Sequence, residues 1–170
     1  MSYCKYMEPG ISGADVTWDF SNLEFERSFT GVLKNASESE LGNGFSDSNT
    51  ELTEFNSHFF FHVGNNQIEQ YGYSSADGRV QTKYTVPFVK MKYPFGYADI
   101  FSGSFSGASY YSGVLRGDVT GSYTVEADAY GQLILPGNVI YDHVLRVKTE
   151  KKYISEVSNS DQKVSITNYR

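Results

Sequence analysis

The chain has 170 residues and a formal net charge of −6, and 16% of it is aromatic, with 14 Tyr and 12 Phe against one Trp. That length supports one well-buried domain without disulfides or metals. The acidic balance argues against a phosphate-tracking surface and so against nucleic acid; Cys4 alone excludes an internal disulfide; and no run of 18 apolar residues is available for a transmembrane helix.

Taken in order, residues 1–13 read as an N-terminal extension, opening at Tyr3-Cys4-Lys5-Tyr6 with no apolar signal segment before the cysteine, as in a mature or trimmed chain. Cys4 is expected to be a free thiol in a frayed terminus. Val16, Trp18 and Phe20 alternate with Thr17 and Asp19, the period of a half-buried strand, and Trp18 is expected to anchor it against the main core. Phe25, Arg27 and Phe29 offer a weaker second strand. From Asn35 to Thr50, Ser, Glu, Asn, Gly and Asp dominate, which predicts a mobile loop. Leu52 to Val63, with Phe59-Phe60-Phe61, reads as a strand buried on both faces. Gly64-Asn65-Asn66 turns the chain, and Ile68 to Tyr73 returns antiparallel.

A second turn at Ser74 to Gly78 leads into Val80, Thr82, Tyr84 and Val86, and Pro87, which lacks a donor, is expected to end that strand. Tyr93 to Tyr97 is an aromatic connection. Ile100 to Phe105 is a strand in which Gly103 marks a candidate bulge. Further strands fall at 110–115, 123–127, 131–135, 139–149, 153–157 and 164–167, with Arg116-Gly117-Asp118 read as a tight hairpin turn rather than an integrin tripeptide. Pro136-Gly137-Asn138 is expected to join 131–135 to 144–149 as neighbouring central strands. The basic cluster at 148–152, broken by Thr149 and Glu150, reads as a solvated strand end.

Nowhere do apolar residues hold a 3.6 period for three turns. The expected fold is therefore all-β, a single antiparallel β-sandwich or a strongly curved sheet (half-barrel) with no long helix, spanning residues 14–170. The stop at Tyr169-Arg170, directly after a strand-like run, reads as the loss of a final C-terminal strand.

Few residues point to chemistry. His58 and His62 on a strand stand roughly 13 Å apart, too far for one ion, so no metal is expected, nor any cofactor. His143 reads as structural. Asp47, Asn49 and Glu51 alternate oxygens without the spacing or glycine of an EF-hand loop. Glu126 and Asp128 share a strand face with carboxylates ~6 to 7 Å apart, the alternative carboxylate pair for glycoside hydrolysis, set against ordinary surface charge. The serines lack a Gly-x-Ser-x-Gly elbow. No catalytic residue is assigned. Tyr93, Phe95 and Tyr97 are the ligand-binding candidates, because such rings stack on sugars or peptides, with inward packing as the competing role.

Three segments, Val16-Thr17-Trp18-Asp19-Phe20-Ser21-Asn22-Leu23, Tyr93 to Asp99, and Tyr130-Gly131-Gln132-Leu133-Ile134-Leu135-Pro136 through Val144-Leu145-Arg146-Val147-Lys148, occur in an order that resembles a group of exported, β-rich proteins of Bacteroidetes-type bacteria. The resemblance spans most of the chain. It implies export, to the periplasm, the outer-membrane surface or the medium, and carries no assigned reaction. The expected function is a non-enzymatic exported binding or structural module, with a glycan, a peptide or another surface protein as partner classes and no nucleic acid. A carrier of lipid or another apolar ligand in a half-barrel cavity is the alternative, and a carbohydrate-active enzyme using Glu126 and Asp128 the third.

Overall fold

A computed structural model describes residues 2–4, 7–28, 30–157 and 160–170. Its strands are β1 (Ser2–Cys4), β2 (Gly13–Asp19), β3 (Phe25–Ser28), β4 (Val32–Asn35), β5 (Thr50–Glu54), β6 (Ser57–Val63), β7 (Gln67–Ser75), β8 (Val80–Lys92), β9 (Ile100–Tyr111), β10 (Val114–Leu135), β11 (Val139–Val157) and β12 (Ser160–Tyr169). Strands β4 to β12 follow one another in the sheet, each antiparallel to the next, and curl into a half-barrel. Strand β2 adds to the distal part of β10 in parallel, and β1 pairs with β3 in a small separate ribbon. The curved-sheet form of the expected fold is thus the one adopted. Among the described residues the helical content is two single 3₁₀ turns, Ala36–Glu38 and Gly42–Gly44.

Curvature comes from long strands, bulges and missing side chains. A Cβ on Gly121 would meet the Phe105 ring at 2.6 Å, and one on Gly103 would run into the Tyr123 phenol. These two glycines let neighbouring rings lie flat on the concave face, and the strands bend over them. Strand β10 serves two neighbours in turn: residues 114–126 pair with β9 and residues 129–134 with β2. At the handover Ala127 pairs with Val147 and Ala129 with Arg146, so the bulge at Asp128 transfers the inward alternation of β10 to the outer face.

Three apolar clusters result. The concave face holds Tyr84, Phe88, Phe105, Val119, Tyr123, Val125 and Val147. On the outer face Val16, Trp18 and Ala129 pack with Phe20, Leu133 and Val144. Farther along, Ala36, Phe45 and Phe60 pack with Leu41. Trp18 is buried as expected, but in the outer cluster rather than the main core, because the bulge has already turned β10 over where β2 joins it.

Several local readings change. The 35–50 segment is a compact cover: Ala36 and Phe45 are buried, and the Phe45 ring stacks on Phe60 at 4.0 Å between centroids. Leu52 to Val63 is a hairpin, turned at Phe55-Asn56, both at positive φ; the apolar character of Phe55 hid it. Pro87 does not end β8. Lys83 pairs with Gly72 and Phe88 with Gln70, so Pro87 lies in a wide bulge where no ladder N–H is required. Gly103 stays in regular register with Tyr123. The turn near 110–118 is Ser112-Gly113, also at positive φ, and Arg116 to Asp118 lie within β10. Gly131 to Leu135 does sit centrally, flanked by β2 and β11, but Leu133 to Leu135 pair with Val139 to Tyr141 and only Gly131 pairs with Val144. Lys5, Tyr6 and Phe29 lie outside the described residues.

Candidate functional site

The concave face is not filled. Alternation along β8 turns Tyr84, Phe88 and Lys90 inward, and alternation along β11 brings Val147, Thr149, Lys151 and Tyr153 to meet them. Between these strands, with Phe59 of β6, Tyr73 of β7 and the inward side of β12, lies a chamber of about 340 Å3. A more open chamber of about 580 Å3 adjoins it, lined by Leu33, Phe61, Val63, Ile68, Met91, Tyr93, Leu145 and Val147. Lys90, Thr149 and Arg170 line both, so the two are lobes of one concavity. The inner lobe sets rings (Phe59, Tyr73, Tyr84, Phe88 and Tyr153) beside polar side chains such as Gln70, Thr82, Gln162 and Asn168, and the outer lobe is mostly aliphatic. Neither is lined by an Asp or Glu side chain among the described residues.

The inner lobe carries an unusual charge arrangement for an acidic chain. The Lys151 ammonium lies 4.3 Å from the Phe105 centroid, 4.8 Å from Phe88, 5.2 Å from Tyr153 and 5.4 Å from Tyr84, and donates to Tyr84 Oη at 3.3 Å. Lys90 lies 5.0 Å from the Phe88 centroid. Among the described residues neither lysine forms an ion pair. Burial among rings disfavours the charged form of an amine. Desolvation accordingly brings Lys151 down to about 8. It brings Lys90 down to about 7, with the positive charges of Arg170 and Lys151 adding to the effect and Glu54 opposing it. Desolvation also raises the Tyr84 phenol, reinforced by Tyr73 and Tyr153, so its proton is retained.

The basic cluster at 148–152 is therefore not a wholly solvated strand end. Lys148 and Lys152 point outward, whereas Thr149, Lys151 and Tyr153 continue the inward series begun by Val147. The period-two pattern from 147 to 153 contains that signal; the density of charge in the cluster obscured it.

The three aromatic candidates do not form one face. Tyr93 lines the outer lobe. Phe95 packs against the concave core with its ring edge-on to Phe101 at 5.5 Å. Tyr97 meets Tyr130 at 5.0 Å, and the following Ala98 and Asp99 hydrogen-bond to Ala127, sealing the gap where β9 gives way to β2. The carboxylate pair lines neither lobe. Asp128 is held by Arg146 through two hydrogen bonds, and Glu126 stands opposite Lys148 in the ladder.

His58 and His62 face different partners. His58 Nδ1 is 2.7 Å from Glu51 Oε1, while His62 Nδ1 lies 3.2 Å from the Asp47 carbonyl. Glu51 is fully buried beneath the 36–48 cover, where Lys34 approaches to 3.3 Å and Thr53 donates at 3.1 Å. Burial alone would raise this carboxyl, but hydrogen bonds from Ser39, His58, Lys34 and Thr53 outweigh it and hold it below its ordinary value. Asn49 is committed to the backbone of Val63, so the alternating oxygens at 47, 49 and 51 do not converge.

No protein-family model matches this chain, and comparisons with curated proteins and with solved structures find no match.

Proposed function

We propose that this domain is a non-enzymatic exported binding module that takes an apolar ligand into the concavity of its half-barrel. The observation that carries the reading is the two-lobed chamber itself, whose volumes fall in the range of about 300 to 1,000 Å3 usual for small-molecule sites. The outer lobe is walled mainly by aliphatic side chains, and the inner lobe mixes rings with polar groups such as Gln70, Thr82, Ser155, Gln162 and Asn168, so that burial is supplied at one end and orientation at the other. Export, to the cell surface or the periplasm, is proposed on the resemblance of the Trp18, Tyr93 to Asp99 and Tyr130 to Lys148 segments to exported β-rich proteins.

The test is uptake of a neutral, environment-sensitive dye such as N-phenyl-1-naphthylamine. Fluorescence should rise and saturate with the wild-type protein. A Thr149→Trp variant, which places an indole at the junction of the two lobes, should abolish the rise while keeping the far-ultraviolet β-signature. Absence of uptake, or uptake that Thr149→Trp leaves unchanged, would overturn the reading.

A further inference from the structure

We propose that the ligand of this concavity is a single-chain amphiphile with a carboxylate head, its charge set against Lys90 and Lys151 in the inner lobe and its chain lying along the aliphatic outer lobe. The proposal rests on the concavity being a ligand site and adds the chemical class of the ligand.

The argument begins with two amines where ordinary packing would put none. An ammonium group drawn partly out of water costs free energy unless paired, and Lys90 and Lys151 are both half-buried with their amines set among rings. The two are turned into the same lobe, both within 5.0 Å of the Phe88 centroid, in a chain whose net charge is −6. Acidic side chains are plentiful elsewhere. The field of Glu54 reaches Lys90 without forming an ion pair with it. Ring faces offset part of the cost for Lys151, since a cation over an aromatic face is attracted to it, but a ring supplies no charge.

The polar groups nearby suit a carboxylate. Tyr84 Oη accepts from Lys151, so its phenolic proton is directed elsewhere and has no acceptor among the described residues. Thr149, on the boundary between the lobes, adds a hydroxyl, and Arg170 adds a third cationic side chain to the lining. A carboxylate offers two oxygens to such donors, and charge-assisted hydrogen bonds are stronger than neutral ones. Toward the opening the walls become Leu33, Phe61, Val63, Ile68, Met91, Leu145 and Val147, a surface for a hydrocarbon chain and not for a second polar group. The lysines whose titration lies lowest are therefore those that an incoming anion would stabilise in the charged form.

Calorimetric titration with decanoate and with decanol, which share a chain and differ in the head, tests the assignment. The wild-type protein should bind decanoate about tenfold or more tightly than decanol. In Lys90→Met/Lys151→Met that preference should fall to about onefold while decanol binding persists, which also shows that the variant is folded. Equal affinities in the wild type, or a preference that survives the double substitution, would overturn the carboxylate head and leave the apolar-ligand reading standing. Failure of decanoate, decanol and the neutral dye alike would overturn both.

Discussion

The Arg146 guanidinium grips the Asp128 carboxylate at two points, Nε to Oδ1 at 2.9 Å and Nη2 to Oδ2 at 2.8 Å, while its Nη1 donates to the carbonyls of Pro9 and Gly10. The same guanidinium lies 5.4 Å from the Trp18 ring and 5.1 Å from Tyr169. One side chain thus ties the bulge of β10 to β11, to the segment before β2 and to the end of β12. Both partners are about nine-tenths buried. Breaking such a pair leaves an uncompensated charge, so Arg146→Ala or Asp128→Ala should cost about 3 to 5 kcal/mol. Urea unfolding of the two single variants and the double variant would measure it. The double variant should lose less than the sum of the singles.

Trp18 caps this arrangement from above. Its Nε1 donates to the Ile11 carbonyl at 3.1 Å, and Gly10 lies so close beneath the ring that a Cβ there would meet Cδ1 at 2.6 Å. Trp18→Ala should cost ~3 to 5 kcal/mol, read from the urea midpoint. Because the loss falls in the outer cluster, decanoate binding in the concavity should change little.

The 36–48 cover should behave as part of the core rather than as a loop. Phe45 is 5% exposed and stacked on Phe60, which is wholly buried. Phe45→Ala should therefore cost about 3 to 5 kcal/mol and open the segment to protease. In the wild-type protein limited proteolysis should spare it, and early cleavage between residues 38 and 50 would show that the packing does not hold.

Gly121 offers a test of the curvature. An added methyl would meet both the Phe105 ring and the Lys152 carbonyl at 2.6 Å. Since that carbonyl belongs to the backbone of β11, the clash cannot be relieved by a rotamer change alone. Gly121→Ala should cost about 1 to 3 kcal/mol by overpacking, and the displaced Phe105 ring should disturb Lys151, seen as weaker decanoate binding.

The fold class was legible in the chain because period-two alternation and turn residues recur throughout, and these depend on local chemistry. What escaped the sequence depended on distant contacts. Asp128 as a bulge is set by Arg146, eighteen residues on and across a ladder. The cover over Phe60 depends on three apolar residues, Ala36, Leu41 and Phe45, scattered through a segment rich in Ser, Glu, Asn and Gly. Pro87, which lacks a donor, and the turn former Gly117 both read as strand breaks from local chemistry, although bulges absorb them. The site was hidden for a related reason. A lysine in a charged run looks solvated until the opposite edge of the sheet curls over it, and only the parity of 147, 149, 151 and 153 distinguishes Lys151 from Lys148 and Lys152.

The last prediction concerns pH. Lys90 and Lys151, lowered to about 7 and about 8 from 10.5 by burial, hold fewer protons in the folded chain than in the unfolded one throughout the interval from about 7 to 10.5. Stability rises with pH wherever the unfolded state binds more protons, so the ligand-free protein should gain stability as pH increases from about 7. Below that, both lysines are charged in both states and the cost of their burial is present in full. Charged and titratable neighbours do not reverse the sign: Arg170 and the second lysine add to the depression, and Glu54 only moderates it. Tyr84 and Tyr153 are themselves raised by burial, so they stay neutral in the folded chain across the window. Near pH ~10 the gain should end, because tyrosines of the unfolded chain begin to ionise while these do not. Urea midpoints should therefore climb between about pH 6.5 and about pH 9.5, and Lys90→Met should flatten the climb. Bound decanoate should reverse the trend, stabilising most at the acidic end, where the lysines carry the charge it pairs with, and releasing as pH passes about 8. A wild-type midpoint that is level or falling across this interval would mean that the two amines are solvated and not turned into the chamber.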